Sequence, residues 1–226
     1  MKRLVTSFAS GGFITNIPRL ENSLSVFWNG DYQLWQHELP PGSPQHSHEP
    51  YAFKAYAMLW ARNHGYDQAI WVDSSMYAVS DPAAMFDEIA ESGGVFMDNG
   101  YNAAQTCTDR LLRAVGITRD EAELIPEVVG GVWALDFKKS GSFLDELLSL
   151  ISPGSFRGSR GHDPEDSLDK RFLFCRHDQS AMSLLARKYK MTVKPQGELF
   201  HYYTPHTSPF TEPGVVFVLN IANGKY

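Results

Sequence analysis

The chain puts polar side chains where chemistry would need them at a few points. Gln68 to Val72 is a short apolar run, Ala-Ile-Trp-Val after the glutamine, that stops abruptly at Asp73-Ser74-Ser75. In an open α/β sheet, ligands collect outside the carboxyl ends of the strands, so a carboxylate that closes a hydrophobic strand is the first residue to read as functional. The same aspartate also reads as an ordinary strand-terminal turn residue. Arg176-His177-Asp178-Gln179-Ser180 opens a segment, His177 to Lys190, whose Leu184, Leu185 and Tyr189 give it a helical pattern. A helix start offers unpaired amides and suits polar recognition, and it equally suits an aspartate that only caps. His201 follows Gly197-Glu-Leu-Phe, and a lone histidine reads as surface, core or ligand. Lys54, in His48-Glu-Pro-Tyr-Ala-Phe-Lys54 ahead of the Asp73 strand, can reach a phosphate or lie solvated.

The elements that must position these residues follow from periodicity and punctuation. Arg3 to Ala9 reads as an opening strand before a Gly11-Gly12 turn, and Ser23 to Trp28 alternates as a second strand would. A loop rich in proline, glycine and histidine spans Glu38 to Glu49, after which Pro50 stands where a helix begins. Phe53, Tyr56, Ala57 and Trp60 form one apolar stripe there, with Lys54 and Arg62 off it. Asp81 and Pro82 start a helix with Met85, Phe86 and Ile89 inward and Gly93-Gly94 at its end, and Val95 to Met97 is the next strand. Gln105 to Val115 reads as a helix closed by Gly116, and Thr118 with Glu121 has capping-box spacing. Val128 to Phe137 returns to strand, and Phe143, Leu144, Leu147, Leu148 and Ile151 make a helical core stripe. Ser152 to Arg171 is polar, glycine-rich and charged, and reads as a mobile loop that closes over a bound ligand. Short strands near Met191 to Lys194, Glu198 to Tyr203 and Val215 to Leu219 end the pattern. The alternation predicts a three-layer α/β domain spanning 1–226, with the strand ends at Asp73, Val95 to Asn99 and Gly130 to Trp133 converging on the His177 helix start.

Two of these segments carry a family resemblance. Trp71-Val72-Asp73-Ser74-Ser75 resembles the strand-ending Asp-x-Asp motif of nucleotide-sugar glycosyltransferases, with Ser75 in the place of the second aspartate. Arg176-His177-Asp178-Gln179-Ser180 resembles the Asp-Gln helix start of retaining glycosyltransferases related to glycogenin, and the pair is similar to a group of bacterial and viral glycosyltransferases. The resemblance implies a GT-A (nucleotide-diphospho-sugar transferase) fold, a Rossmann-like mixed sheet flanked by helices. It implies transfer from a nucleotide-diphospho-sugar, UDP-linked, to an acceptor that is a glycan, a small molecule or modified DNA, with retention. By that resemblance Asp178 binds donor-sugar hydroxyls and Gln179 steadies the positive charge that develops on the sugar. Thr6, Ser10, Lys54, Asp73, Ser74, Ser75 and His177 line the donor, and Asp73, Ser75 and His201 hold Mn²⁺ or Mg²⁺, with His206 the alternative to His201. Such an ion neutralises charge on the departing diphosphate, and a serine hydroxyl is a poorer ligand for it than a carboxylate.

Composition narrows the setting. Hydrophobic residues are 43% of the 226 and charged residues 20%, a globular balance with no sign of a long disordered stretch. Only Cys107 and Cys175 are present, outside any CxxC spacing, so the sequence suggests neither a disulfide framework nor a cysteine zinc site. No apolar run has the length of a signal peptide or of a membrane span, which leads to the expectation of a cytoplasmic protein, in a cell or its host. A net charge of −6 argues weakly against nucleic acid. Two other readings stay open: a transferase acting on hydroxylated DNA bases, and an inactive nucleotide-sugar binding module. For the DNA reading, Arg157, Arg160, Lys170 and Arg171 are offset by Asp163, Glu165, Asp166 and Asp169 in the same loop.

Overall fold

The computed structural model describes residues 1–151, 156–158, 166–195, 197–203 and 214–220. Strand β1 (Arg3–Ala9) is buried from Leu4 onward, as a strand covered on both faces must be. A 3-10 turn over Gly11–Asn16 leads into helix α1 (Ile17–Phe27), and here the expected strand over Ser23 to Trp28 is corrected. Ile17, Leu20 and Leu24 form the buried stripe of a helix with Pro18 in its first turn, while Val26 is 74% exposed. Of the alternating apolar residues, only Leu24 belongs to that stripe, and Trp28 stands just past the helix end.

Edge strand β2 (Asp31–Gln36) lies ahead of the proline-rich loop, in a stretch without alternation. Helix α2 (Phe53–Asn63) and strand β3 (Gln68–Val72) match their patterns, and a three-residue strand β4 (Met76–Ala78) follows the Asp73 turn. Helix α3 (Ala83–Ser92) buries Met85, Phe86 and Ile89 and ends at Gly93, whose φ of 79° is the left-handed cap that glycine adopts freely. Strand β5 (Gly94–Asn102) is longer than expected. The helix expected over Gln105 to Val115 is two, α4 (Ala103–Thr106) and α5 (Asp109–Val115), because Thr108 takes extended backbone and accepts from the Leu111 amide as a new cap. Helix α6 (Arg119–Ala122) carries the expected Thr118–Glu121 capping box.

The strand expected over Val128 to Phe137 is also divided, into β6 (Pro126–Val128) and β7 (Val132–Asp136), with Gly130 and Gly131 in the break. Helices α7 (Phe143–Ile151) and α8 (Asp178–Lys188) and strands β8 (Thr192–Lys194), β9 (Phe200–Tyr203) and β10 (Phe217–Asn220) complete the order. Residues 152–155 and 159–165 lie outside the described residues, and with them the expected closure of the Ser152 to Arg171 loop. Among the described residues no helix is long and apolar enough to cross a membrane.

The main sheet has seven strands in the order β2-β1-β3-β7-β5-β6, with β8 also on β5, and a small sheet has the order β4-β10-β9. β2, β1 and β3 are parallel, whereas β7 runs antiparallel to both β3 and β5. The sheet is therefore mixed, an α/β arrangement flanked by helices and compatible with a Rossmann-like fold. Side chains alternate between its faces: Trp71 and Trp133 enter one core with Phe53, Phe143 and Leu185, while Ile70, Val72 and Val132 enter the other with Leu20, Phe86 and Phe217.

Candidate functional site

Position alone would leave Lys54 in the first turn of α2 beside Phe53, but packing against β3 and α8 leaves it only 4% exposed. A buried ammonium costs several kcal/mol unless its charge and its three donors are matched. The Gly130 carbonyl accepts a hydrogen bond from it at 2.9 Å, and Asp73 Oδ1 at 3.2 Å and Asp178 Oδ2 at 3.3 Å pair with its charge. Burial works against the charge, but Asp178 and Asp73 outweigh it and hold the Lys54 pKa above the ordinary lysine value. Lys54 stays an ammonium at any physiological pH.

Asp73 sits at the carboxyl end of β3 by sheet register and is fixed on three sides. Its amide donates to the Gly131 carbonyl at 2.7 Å, its Oδ1 accepts from Trp71 Nε1 at 2.9 Å, and Lys54 faces the same oxygen. Asp178 is the first residue inside α8, and its side chain turns inward to Lys54. Burial pushes its carboxyl up to about 6, with Lys54 opposing and Asp73 adding to the rise. The helix start is secured instead by Ser180, whose Oγ accepts from the Arg176 amide at 3.0 Å and donates to the Thr106 carbonyl at 2.6 Å.

The break between β6 and β7 is what lets backbone reach this cluster. A Cβ on Gly130 would stand 2.6 Å from Gln179 Cγ and 3.1 Å from Asp178 Oδ2, and one on Gly131 would stand 2.5 Å from Met76 Cε. Only a bare α-carbon permits the approach. Because β7 is antiparallel, its amino end meets the carboxyl end of β3, so the expected convergence of Asp73, Gly130 and the α8 start exists, but not through parallel strand ends alone.

Two non-glycine residues with positive φ flank the cluster. His177 (φ 57°) precedes α8 and Tyr51 (φ 63°) precedes α2, and their rings lie 4.9 Å apart. Such backbone costs on the order of 1–3 kcal/mol per residue and persists where surroundings hold it, often at functional sites. His177 Nδ1 lies 2.9 Å from both the Phe156 carbonyl and the Gly158 amide, and the Tyr51 ring also lies 5.0 Å from Lys54 Nζ. Gln179 follows Asp178 with its buried Nε2 free of hydrogen-bond partners among the described residues.

Other expected contacts fare differently. Thr6 is fully buried and its hydroxyl donates to the Gln33 carbonyl at 3.0 Å, so it is not presented to a ligand. Lys54 is likewise no free arm for a phosphate, since its donors are taken within the protein. Ser10 is exposed at the start of the 3-10 turn, Ser74 is buried, and the Ser75 carbonyl accepts from Arg19. His201 lies on β9, opposite Val218 of β10, which in turn pairs with Tyr77 of β4. His206 lies outside the described residues.

Among the described residues no three of His, Cys, Asp and Glu come together as metal ligands. The expected set offers one carboxylate, Asp73, whose Oδ1 already faces Lys54 and Trp71. Lys54 provides the positive charge between Asp73 and Asp178 in this arrangement. Sequence reading placed Gly130 to Trp133 at the converging strand ends without the close approach of the two glycines, and it gave no site role to Trp71, Tyr51 or His46, whose ring lies 4.9 Å from Tyr51 and whose pKa burial and Lys54 hold below the usual histidine value. The double glycine inside a strand pattern was the available signal, since it marks close backbone approach. The chain matches no family model and no curated protein.

Proposed function

We propose that this chain is a glycosyltransferase of the GT-A type that transfers a sugar from a UDP-linked donor, with retention. The observation that carries the reading is the Lys54 bridge. Asp73 and Asp178, from the two segments that resemble such enzymes, meet on one buried cation at the edge of the sheet. In this reading Asp178 holds hydroxyls of the donor sugar, and Lys54 with Gly130 fixes its carboxylate. Gln179 lies beside the reacting carbon and steadies positive charge that exists mainly in the transition state. The strained pair Tyr51 and His177 encloses the same end and keeps water from the donor.

The DNA reading gains nothing from Arg171, which is spent on Asp169, Asp120 and Glu123. A thermal-shift panel of nucleotides and nucleotide-sugars, each with and without Mn²⁺, tests the proposal and the expected metal together. A UDP-sugar that raises the melting temperature is the expected result, and indifference to every nucleotide would overturn it. Hydrolysis of the bound donor separates an enzyme from a binding module.

A further inference from the structure

Next to the Asp178–Gln179 pair lies a second set of groups that the donor reading leaves unused. Tyr101, near the end of β5, is 39% exposed, and its ring meets that of Phe174 edge-on at 5.3 Å. The Arg176 guanidinium lies over the Phe174 ring at 5.7 Å. Beneath it, Glu127 of β6 is 0% exposed, accepts from Asn99 Nδ2 at 2.7 Å and stands 3.9 Å from Arg176. Its Oε1 is buried with no hydrogen-bond partner among the described residues. A buried carboxylate oxygen left unpaired costs free energy, and such atoms recur where a ligand or water completes them.

Two links tie this platform to the proposed reaction centre. Arg176 stands two residues before Asp178, and its carbonyl accepts from the Gln179 amide at 3.2 Å. Glu127 stands three residues before Gly130, where an added Cβ would run into Gln179 and Asp178. The segment bearing Phe174 is pinned to α4, since the Leu173 amide donates to the Gln105 carbonyl at 2.8 Å.

We infer that Tyr101, Phe174 and Arg176, backed by Asn99 and Glu127, form the acceptor subsite, and that the acceptor is a neutral oligosaccharide. Aromatic rings offer an apolar face to the C–H side of a pyranose, while the guanidinium at the rim pairs with its hydroxyls and the buried carboxylate beneath holds the polar groups in place. Glu127 matches the charge of Arg176, so the platform lacks the net positive charge that a nucleic-acid backbone requires. The assignment rests on the transferase reading for the purpose of the bound sugar, but its test does not depend on the donor.

Maltotriose, cellotriose and mannotriose serve as probes in saturation-transfer NMR and calorimetry, beside a single-stranded DNA oligonucleotide. At least one trisaccharide should bind, and Tyr101→Ala and Phe174→Ala should each weaken it by roughly tenfold or more. Melting temperature and nucleotide-induced shift should stay at wild-type values in Tyr101→Ala, whose ring is partly in solvent; should Phe174→Ala fail to fold, Tyr101→Ala decides alone. Three results would overturn the inference: no trisaccharide binding, trisaccharide binding unchanged in Tyr101→Ala, or salt-dependent DNA binding abolished by Arg176→Gln. Trisaccharide binding lost in Tyr101→Ala while no nucleotide binds would sustain the subsite and remove the donor reading.

Discussion

Lys54 Nζ stands 3.3 Å from Asp178 Oδ2, and both side chains are almost wholly buried. Lys54→Met keeps the length of the side chain and removes the cation, leaving two carboxylates facing each other. Breaking one partner of a buried pair costs about 3–5 kcal/mol, because the remaining charge is uncompensated. Urea denaturation near neutral pH should show a loss of that size. Lys54→Met combined with Asp178→Asn should recover much of it, and a wild-type midpoint in the single variant would contradict the bridge.

The same pair sets a pH dependence. The folded Asp178 carboxyl is raised from 3.8 to about 6, so the folded state binds its proton more tightly than the unfolded chain does. Its contribution to stability is fully present below 3.8 and is lost as pH rises through about 6. Lys54, raised from an already high value, does not titrate in that window. Unfolding free energies of wild type and Asp178→Asn should therefore diverge progressively between about pH 4 and 6 and keep a constant difference above about pH 7. A constant difference through the whole range would mean that Asp178 is not so perturbed.

Gly130→Ala tests the close approach of backbone to the helix start. Its Cβ would meet Gln179 Cγ at 2.6 Å and Asp178 Oδ2 at 3.1 Å. Overpacking of this kind costs roughly 1–3 kcal/mol. Nucleotide-sugar binding should weaken along with the melting temperature, since the residues displaced are those assigned to the donor.

A remote change provides the contrast. Thr118→Ala removes the capping box of α6, in which Thr118 Oγ1 accepts from the Glu121 amide at 3.2 Å. The loss should be about 1 kcal/mol, with the nucleotide-induced shift untouched. A change in donor binding there would mean that binding follows global stability.

Catalysis is separated from binding by two substitutions measured together. Asp178→Asn should lower transfer by one to several powers of ten, an order-of-magnitude expectation for a lost transition-state contact. Gln179→Ala should reduce turnover more than donor affinity, because it removes stabilisation of charge absent from the ground state. Wild-type rates in both would leave the helix start a structural feature.

The sequence by itself determined the elements whose signals are local. The stripe from Phe53 to Trp60, the run Gln68 to Val72, the capping box at Thr118 and the Asp178 helix start were all legible, because periodicity and caps act within a few residues. It also marked Asp73 and Asp178 as the residues to watch. Tertiary structure decided what contradicts or exceeds local pattern. Ser23 to Trp28 alternates, yet the buried stripe of α1 outweighs that alternation. The direction of β7, the break at Gly130 and Gly131 and the burial of Lys54 depend on strands and helices distant in the chain. A lysine beside an apolar stripe reads as solvated until two carboxylates and a carbonyl are brought to its three protons, and that juxtaposition arises only when β3, β7 and α8 pack together.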